Sequence, residues 1–267
     1  MFERVVVFSV FAFSALFSNR TATVEEVFES DPFIGSYEEA EAAREWENRA
    51  FLATYPRSGN HWMRYLVEEA TGIATSSVYC DPDPQHMEKV FPWGGYCLDH
   101  GYEGNPRYPM EGEMVFLKTH FPVSHISFFD ALPYKKTVRI TRHPVDSFYS
   151  LYLWIQDFNK ESAEFMIPRE ALEKYVGQWR RFQEYWDEAE NVLTIRYEDL
   201  LENPKANLEN ILNYLGYQVS KEDIQRAVKK YPPTGKPLKH LVHFTEDDLE
   251  FIYENLDDLM EKHQYKN

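Results

Sequence analysis

The sequence predicts an α/β fold, a single domain with a mainly parallel central sheet flanked by helices. Short apolar segments alternate with longer amphipathic segments along the chain, as strands alternate with helices in such folds. The chain has 267 residues, of which 43% are hydrophobic, enough to bury one sizeable core. Ligands of parallel α/β sheets bind beyond the carboxyl ends of the strands, so the residues at those ends are the first candidates for a functional site.

The first predicted unit is a strand, a turn and a helix. RAFLAT at 49–54 has the composition of a short buried strand and ends before Tyr55-Pro56. From Asn60 onward, apolar residues recur at helical spacing until Gly72 ends the run. The turn Arg-Ser-Gly at 57–59 therefore adjoins a helix N-terminus, where free amide groups bind phosphate or sulfate. A structural turn with a surface arginine fits the same residues, whereas a Walker loop does not, because its lysine and its spacing are missing.

Three more strands are predicted farther along the chain. They lie within residues 113–122, 135–144 and 191–200. Helices are predicted over 37–50, 123–133, 145–158, 168–189, 204–216 and 245–264. Residues 76–112 are rich in Pro, Gly, Tyr and Asp and are predicted to form a long loop, which in a compact domain is typical of a functional segment.

Polar and basic residues end each of these three strands. They are Lys118, Thr119, His120, Arg142, His143, Arg196, Tyr197, Glu198 and Asp199. Because the carboxyl ends of parallel strands meet at one edge of a sheet, we expect these side chains to share a cleft with the 57–59 turn. A single histidine at a strand end is more often structural than catalytic, and His120 gains significance from its neighbours.

The charge of the chain limits its partners. The formal net charge is −16 and the sequence pI is about 5.0, which argues against nucleic acid or an anionic membrane as the main partner. Much of the acidity lies in residues 24–47 and 245–264, where solvated helix faces explain it. Any anion-binding site must therefore be a local basic pocket.

The first 22 residues predict a signal peptide or a signal anchor. One arginine precedes an apolar run of the length found in signal peptides, although a buried first strand or helix fits as well. Asn19-Arg20-Thr21 matches the N-glycosylation pattern, and Cys80 and Cys97 could form a disulfide in an oxidising compartment. Together these features favour the secretory pathway, as a Golgi lumenal or secreted protein, with the cytoplasm as the alternative. Residues 23–50 then form an N-terminal helical segment and residues 51–267 the main domain.

Four segments, in order, resemble the sulfotransferases that use 3′-phosphoadenosine 5′-phosphosulfate. The segments are TYPRSGNHW at 54–62, KTHFP at 118–122, RITRHPVDSFYSLY at 139–152 and RYEDLLENPKANLENILNYLG at 196–216. They are similar to the family's P-loop-like 5′-phosphosulfate loop, its K-T-H-x-P strand end, its 3′-phosphate segment and its Y-E-D-L-x-x-N-P region. HFT at 243–245 also matches a short sequence near the family's C-termini. The first segment looks still more like the sulfotransferase domains of WSC-domain-containing proteins, which are Golgi-type relatives.

The resemblance implies a role for each matching residue. For the donor, it implies that the 5′-phosphosulfate is bound by Arg57, Ser58, Gly59, Asn60 and His61, the adenine by Trp62 and Tyr197, and the 3′-phosphate by Arg142 and Ser150. For the reaction, it implies that Arg57 and Lys118 stabilise the developing charge. It also implies that His120 is the general base.

The sequence also departs from the family pattern at several positions. Arg57 replaces the lysine of cytosolic members, and Asn60 and His61 replace two threonines. The C-terminal R-K-G element of the family is not evident, and Lys236 and Lys239 are candidates to replace it.

The predicted function is sulfuryl transfer from that donor to a hydroxyl of a carbohydrate or small alcohol. The transfer would be in-line, with His120 as base and without a metal, since the sequence shows no ligand spacing typical of one. The predicted acceptor pocket combines the 76–112 loop, residues 154–165 and the C-terminal segment. A catalytically inactive nucleotide or glycan-binding module and a P-loop nucleotide kinase are the alternatives.

Overall fold

The computed structural model describes residues 50–73, 75–77, 115–123 and 136–265. Several predictions fall outside the described residues. They are the segments 1–22 and 23–50 except Ala50, the loop at 76–112 except its first two residues, the helix at 123–133 except Val123, the glycosylation triplet at Asn19, and both cysteines.

Among the described residues, five parallel strands form the central sheet. They are β1 (Ala50–Thr54), β2 (Ser76–Ser77), β3 (Phe116–Thr119), β4 (Lys136–Thr141) and β5 (Val192–Arg196). Their order across the sheet is β2-β3-β1-β4-β5, and every pair of neighbours is parallel. This arrangement confirms the predicted fold class. The two-residue strand β2 is an addition, because two serines carry no pattern from which a strand could be predicted.

Helices connect the strands and cover the sheet. Within the described residues they are α1 (Asn60–Thr71), α2 (Pro144–Asn159), α3 (Arg169–Glu188), α4 (Tyr197–Glu202), α5 (Pro204–Leu215), α6 (Lys221–Lys230), a 3-10 turn (Leu241–His243) and α7 (Glu246–Lys262). The helices predicted over 145–158, 168–189, 204–216 and 245–264 are thus confirmed, whereas α6 was not predicted. Residues 197–200, which were predicted to end the fourth strand, belong to α4, because the strand ends at Arg196 and the chain turns at once into a helix. Of the described helices, none is both long and apolar enough to cross a membrane.

Local sequence explains where the main helices begin. Pro144 occupies the first turn of α2, and the His143 side chain caps that helix by accepting from the Val145 amide. Helix α7 starts with a capping box in which the side chains of Thr245 and Asp248 each accept from the other's backbone amide. These caps fix the register of the two helices against the sheet.

The central strands β1, β3 and β4 are buried on both faces of the sheet, as is usual for parallel strands covered by helices. All five residues of β1 are buried, and their side chains alternate between two hydrophobic clusters. Phe51 packs in the cluster that contains Trp179 of α3 and residues of α2 and α7. Leu52 packs in the other cluster, with Met63 of α1 and residues of α5 and α6. Two layers of helices therefore hold the strands so that their carboxyl ends form one edge.

Candidate active site

The turn between β1 and α1 has an unusual backbone. Arg57 and Gly59 adopt positive φ angles of 67° and 98°, a region that residues other than glycine rarely enter. The amide of Ser58 closes the turn by donating to the Tyr55 carbonyl oxygen over 3.2 Å. At Gly59 there is a second constraint, since an added Cβ would lie 2.6 Å from Cδ2 of Tyr197. Glycine is therefore required there by both conformation and space.

The N-terminus of α1 is suited to receive an anion. Gly59 caps the helix without a side-chain hydrogen bond, and no acidic residue lies in the first turn. The first amides of a helix lack intrahelical partners and carry the positive end of the helix dipole. Asn60 is buried, and its Oδ1 has no hydrogen-bond partner among the described residues. The predicted strand, turn and helix are thus confirmed.

Arg142 ties this turn to two other strand ends. Its Nη1 donates to the Arg57 carbonyl oxygen over 2.8 Å, and its Cζ lies 4.6 Å from the ring centroid of Tyr197. The side chain is only about 5% exposed, and its Nε has no hydrogen-bond partner in the described part of the chain. A buried guanidinium with an unused donor normally has a ligand or water to satisfy it.

The second arginine of the site reaches α2. Nε of Arg57 donates to Oγ of Ser150 over 3.3 Å, so the residues predicted for the two phosphate positions of the donor are neighbours. Burial and the charge of Arg142 lower the pKa of Arg57. Among the described residues no carboxylate forms an ion pair with Arg57, whereas Nη2 of Arg142 lies 3.6 Å from Oδ2 of Asp146. Asp146 and Glu198 partly compensate the charge of Arg142, so Arg57 is the cation that favours a bound anion here.

His120 follows β3 and faces the end of β1. Its Nδ1 lies 2.7 Å from the carbonyl oxygen of Thr54 and 3.2 Å from Oγ1 of the same residue. A carbonyl oxygen can only accept, so Nδ1 carries the proton, and in the neutral ring the lone pair is on Nε2. Lys118 ends the same strand and is buried. This tautomer has the form that a general base requires.

Aromatic rings line the side of the turn that faces α4. The rings of Trp62 and Tyr197 meet edge to face at 6.1 Å, and Nε1 of Trp62 donates to the Tyr231 carbonyl oxygen over 2.9 Å. The structure thus brings Trp62, Tyr197 and the 57–59 turn together, as predicted. Ser58 is buried, with its Oγ 3.4 Å from Oγ of Ser147, and His61 is exposed on the first turn of α1.

Asp146 is a residue of this region that the sequence analysis missed. Its carboxylate is fully buried and accepts hydrogen bonds from the amides of Leu238 (2.7 Å) and His240 (3.1 Å). It thereby holds the segment that carries Lys236 and Lys239, both of which are exposed. A Cβ on Gly235 would lie 2.6 Å from the Tyr197 hydroxyl, so the same segment packs against the ring of Tyr197. The sequence signal for it is its i,i+4 spacing from Arg142, which precedes α2 by two residues.

Metal ligands do not cluster in this region. Within the part of the chain that the structure describes, no three His, Cys, Asp or Glu side chains lie close enough to hold a metal ion.

The fold and the site together define an α/β protein with a glycine-containing turn at the carboxyl edge of a parallel sheet, where the first amides of α1 are suited to an anion. Comparison with known protein families then identifies the family of this α/β protein. The family described as "Sulfotransferase domain" matches residues 47–232, which is more than half of the chain, and the chain belongs to this family.

Curated relatives from plants and animals are similar to the chain. Cytosolic sulfotransferase 14 of Arabidopsis thaliana is 26% identical over 201 residues, which cover 67% of this chain and 56% of the relative. WSCD family member CG9164 of Drosophila melanogaster is 24% identical over 209 residues, covering 72% and 58% respectively. The 3-alpha-hydroxysteroid sulfotransferase of Cavia porcellus is 26% identical over 201 residues, covering 66% and 61%. The chain thus spans less than two thirds of the length of these relatives.

Solved structures support the fold. The mouse sulfotransferase SULT7A1, solved as a complex with PAP, matches with a TM-score of 0.53 at 18% identity and covers 84% of this chain and 88% of its own. The sulfotransferase STF9 from Mycobacterium avium matches with a TM-score of 0.50 at 12% identity, with coverages of 90% and 89%. At these identities the likeness concerns the fold.

Proposed function

We propose that the chain is a sulfotransferase that moves a sulfuryl group from 3′-phosphoadenosine 5′-phosphosulfate to a hydroxyl acceptor. One observation carries this proposal. Arg142 contacts both the carbonyl oxygen of Arg57 and the ring of Tyr197, while the Arg57 side chain contacts Ser150. Residues from three separate strand ends and α2 therefore meet at one place, and the resemblance to the family assigns each of them to the donor, although Arg57 replaces the lysine of cytosolic members.

The donor would lie across the turn. The amides at the start of α1, Arg57 and Lys118 would surround the 5′-phosphosulfate, where charge develops on the leaving phosphate. Arg142 and Ser150 would bind the 3′-phosphate, and the unused Nε of Arg142 supplies a donor for it. Trp62 and Tyr197 would contact the adenine. The buried Oδ1 of Asn60 has no hydrogen-bond donor among the described residues, and a bound water would provide one.

His120 would act as the general base. Nε2 takes the proton of the acceptor hydroxyl while that oxygen forms a bond to sulfur, and the bond between sulfur and the phosphate oxygen breaks to release adenosine 3′,5′-bisphosphate. The hydrogen bond from Nδ1 to the Thr54 carbonyl oxygen fixes the required tautomer and stabilises the imidazolium that forms. Positioning of the substrates and electrostatic stabilisation of the transition state supply the remainder of the rate enhancement, as in phosphoryl transfer.

The acceptor surface would include the outer half of α2 and the segment that follows it. Trp154 and Phe158 stack at 5.6 Å, and Phe165 and Val242 are exposed nearby in the chain segments that the sequence analysis assigned to the acceptor. Such rings bind either a sugar face or an apolar alcohol. A carbohydrate or a small alcohol is therefore the proposed acceptor class.

Ligand-dependent stability tests the donor assignment. Adenosine 3′,5′-bisphosphate should raise the melting temperature at concentrations where ATP with magnesium does not, because a specific ligand stabilises the folded state by mass action. A nucleotide kinase predicts the reverse order. An acceptor screen with radiolabelled donor then separates the enzyme from a binding module: bisphosphate binding without transfer to any carbohydrate or alcohol would favour the inactive module, which the replacements at Arg57 and His61 would explain.

We also propose a secretory location, from residues 1–22, the Asn19 triplet and the two cysteines. Expression in animal cells, followed by glycosidase treatment and thiol labelling, tests this placement. A shift in mobility and thiols that react only after reduction are expected. An unchanged mobility with two reactive thiols would favour the cytoplasm, and cleavage of the first segment would distinguish a lumenal protein from an anchored one.

A further inference from the structure

The segment that follows α7 returns to the edge of the sheet and inserts a tyrosine there. Tyr265 is about 7% exposed, and its hydroxyl lies 3.4 Å from Oγ1 of Thr141, the last residue of β4. Its ring meets the ring of His143 edge to face at 5.4 Å and lies 6.4 Å from Trp179. Tyr265 thus packs behind the end of β4, next to the residue that follows Arg142.

The same ring contacts the end of β5. Cζ of Arg196 lies 4.9 Å from the ring centroid of Tyr265, a cation–π contact. Arg196 directly precedes Tyr197, and the carboxylate of Glu198 accepts from the His143 amide over 3.0 Å. Burial raises the pKa of Tyr265 well above its ordinary value, so the phenol stays neutral beside the arginine. One side chain therefore bridges the residues that flank Arg142 and Tyr197.

The position of Tyr265 is fixed from its own side of the molecule. Its amide donates to the Met260 carbonyl oxygen over 2.7 Å, and Gln264 turns the chain with a φ of 58°. His263 contacts Asp187 at 3.2 Å, and the same carboxylate pairs with the buried Arg139 at 2.7 Å. These anchors lie on α3 and β4, away from the turn at 57–59, so the ring is held in place whether or not the cleft contains a ligand.

We propose that Tyr265 is a positioning residue of the donor site, which packs on the side chains at the ends of β4 and β5 and so fixes the orientation in which Arg142 and Tyr197 engage one nucleotide. The inference rests on the proposed function, because it takes Arg142 as the residue that recognises the 3′-phosphate. An aliphatic side chain such as leucine would fill the space, but it would give Arg196 no polarised ring face.

The test compares binding of adenosine 3′,5′-bisphosphate with binding of adenosine 5′-phosphate, since their ratio reports the 3′-phosphate contact alone. Tyr265→Leu should reduce this ratio roughly tenfold, because small displacements of a charged hydrogen-bonding group have effects of that order. Tyr265→Phe, which retains the ring, should stay within about twofold of wild type. Leu256→Ala, a buried substitution earlier on α7, is the matched control: it should lower stability and leave the ratio unchanged.

Two further variants separate the possible failures. Arg142→Ala measures how far the ratio can fall; if it leaves the ratio unchanged, the donor assignment fails and this proposal fails with it. If Arg142→Ala lowers the ratio and Tyr265→Leu does not, only the role of Tyr265 is overturned. Should Tyr265→Leu not fold, Arg196→Gln removes the other partner of the contact: a fall in the ratio supports the proposal, and an unchanged ratio overturns it. Where Tyr265→Leu and Arg196→Gln both fold, the binding ratio of the double variant should be no lower than the lower of the two single-variant ratios.

Discussion

Nη1 of Arg142 donates to the carbonyl oxygen of Arg57 over 2.8 Å, so the arginine after β4 supports the backbone of the turn after β1. The turn residue Arg57 holds a strained positive φ of 67°, and this hydrogen bond helps to keep it there. The Arg57 side chain then extends to Ser150 on α2. The two cations of the cleft are therefore positioned together, and a change at one is expected to affect the other.

Replacing Arg142 with alanine should weaken the binding of adenosine 3′,5′-bisphosphate by roughly 1.5 to 3 kcal/mol, the range for hydrogen bonds to charged groups. Calorimetric titration measures this loss of binding free energy, and the binding free energy of adenosine 5′-phosphate should change less. Arg180→Ala is the charge-matched control, because Arg180 pairs with Asp258 on the surface and lies outside the site. Equal losses for the two nucleotides would show that Arg142 serves the fold and does not read the 3′-phosphate.

His120→Asn should lower turnover by about 10² to 10⁴, the usual contribution of a general base. The asparagine amide can still donate to the Thr54 carbonyl oxygen, so the melting temperature and the bisphosphate affinity should stay close to wild type. Transfer rates with radiolabelled donor measure the effect. If turnover is retained while the fold is intact, His120 is a structural residue at the end of β3.

Gly59→Ala should both destabilise the protein and impair nucleotide binding. The new Cβ would lie 2.6 Å from the Tyr197 ring, in addition to the cost of a left-handed backbone. Gly72 provides a matched control, since its φ is also positive, at 69°, but no atom of the described residues lies within 4 Å of the added atom. Gly72→Ala should therefore cost only about 1 to 2 kcal/mol of unfolding free energy. Equal effects of the two variants on bisphosphate binding would exclude the Tyr197 contact as the cause.

Stability should fall between pH 6.5 and about pH 4, in part because of His143. Burial lowers the pKa of His143 from 6.5 to about 4. In this interval the unfolded chain binds a proton that the folded chain does not, so the free energy of unfolding decreases as the pH falls and levels off below the folded pKa. His240, whose pKa is also lowered to about 4 by burial, acts in the same direction, whereas burial raises the pKa of Glu198, which acts in the opposite direction.

His143→Asn isolates this contribution, because asparagine keeps a side-chain acceptor for the Val145 amide and cannot titrate. Urea unfolding at several pH values should show a shallower loss of stability in the variant than in wild type. Parallel pH profiles for the two proteins would mean that His143 does not contribute.

The sequence by itself determined the class of fold and most of the cleft. The alternation of buried strands such as 50–54 with amphipathic helices such as Asn60–Thr71 follows from side-chain periodicity, which needs no knowledge of distant partners. Because parallel strands place their ends at one edge, the sequence also predicts that Arg57, Lys118 and Arg142 share one cleft, and the structure joins Arg142 to the backbone of Arg57.

Tertiary structure decided which side chains support those residues. Asp146 accepts from Leu238 and His240, and Tyr265 packs on Arg196, but these partners are separated by tens of residues and carry no local pattern. The same holds for Gly59, whose glycine requirement depends on the position of Tyr197 as well as on the turn. Periodicity specifies which face of an element is buried, whereas the identity of the contacting residue depends on how separate elements pack, and that packing is a property of the folded chain as a whole.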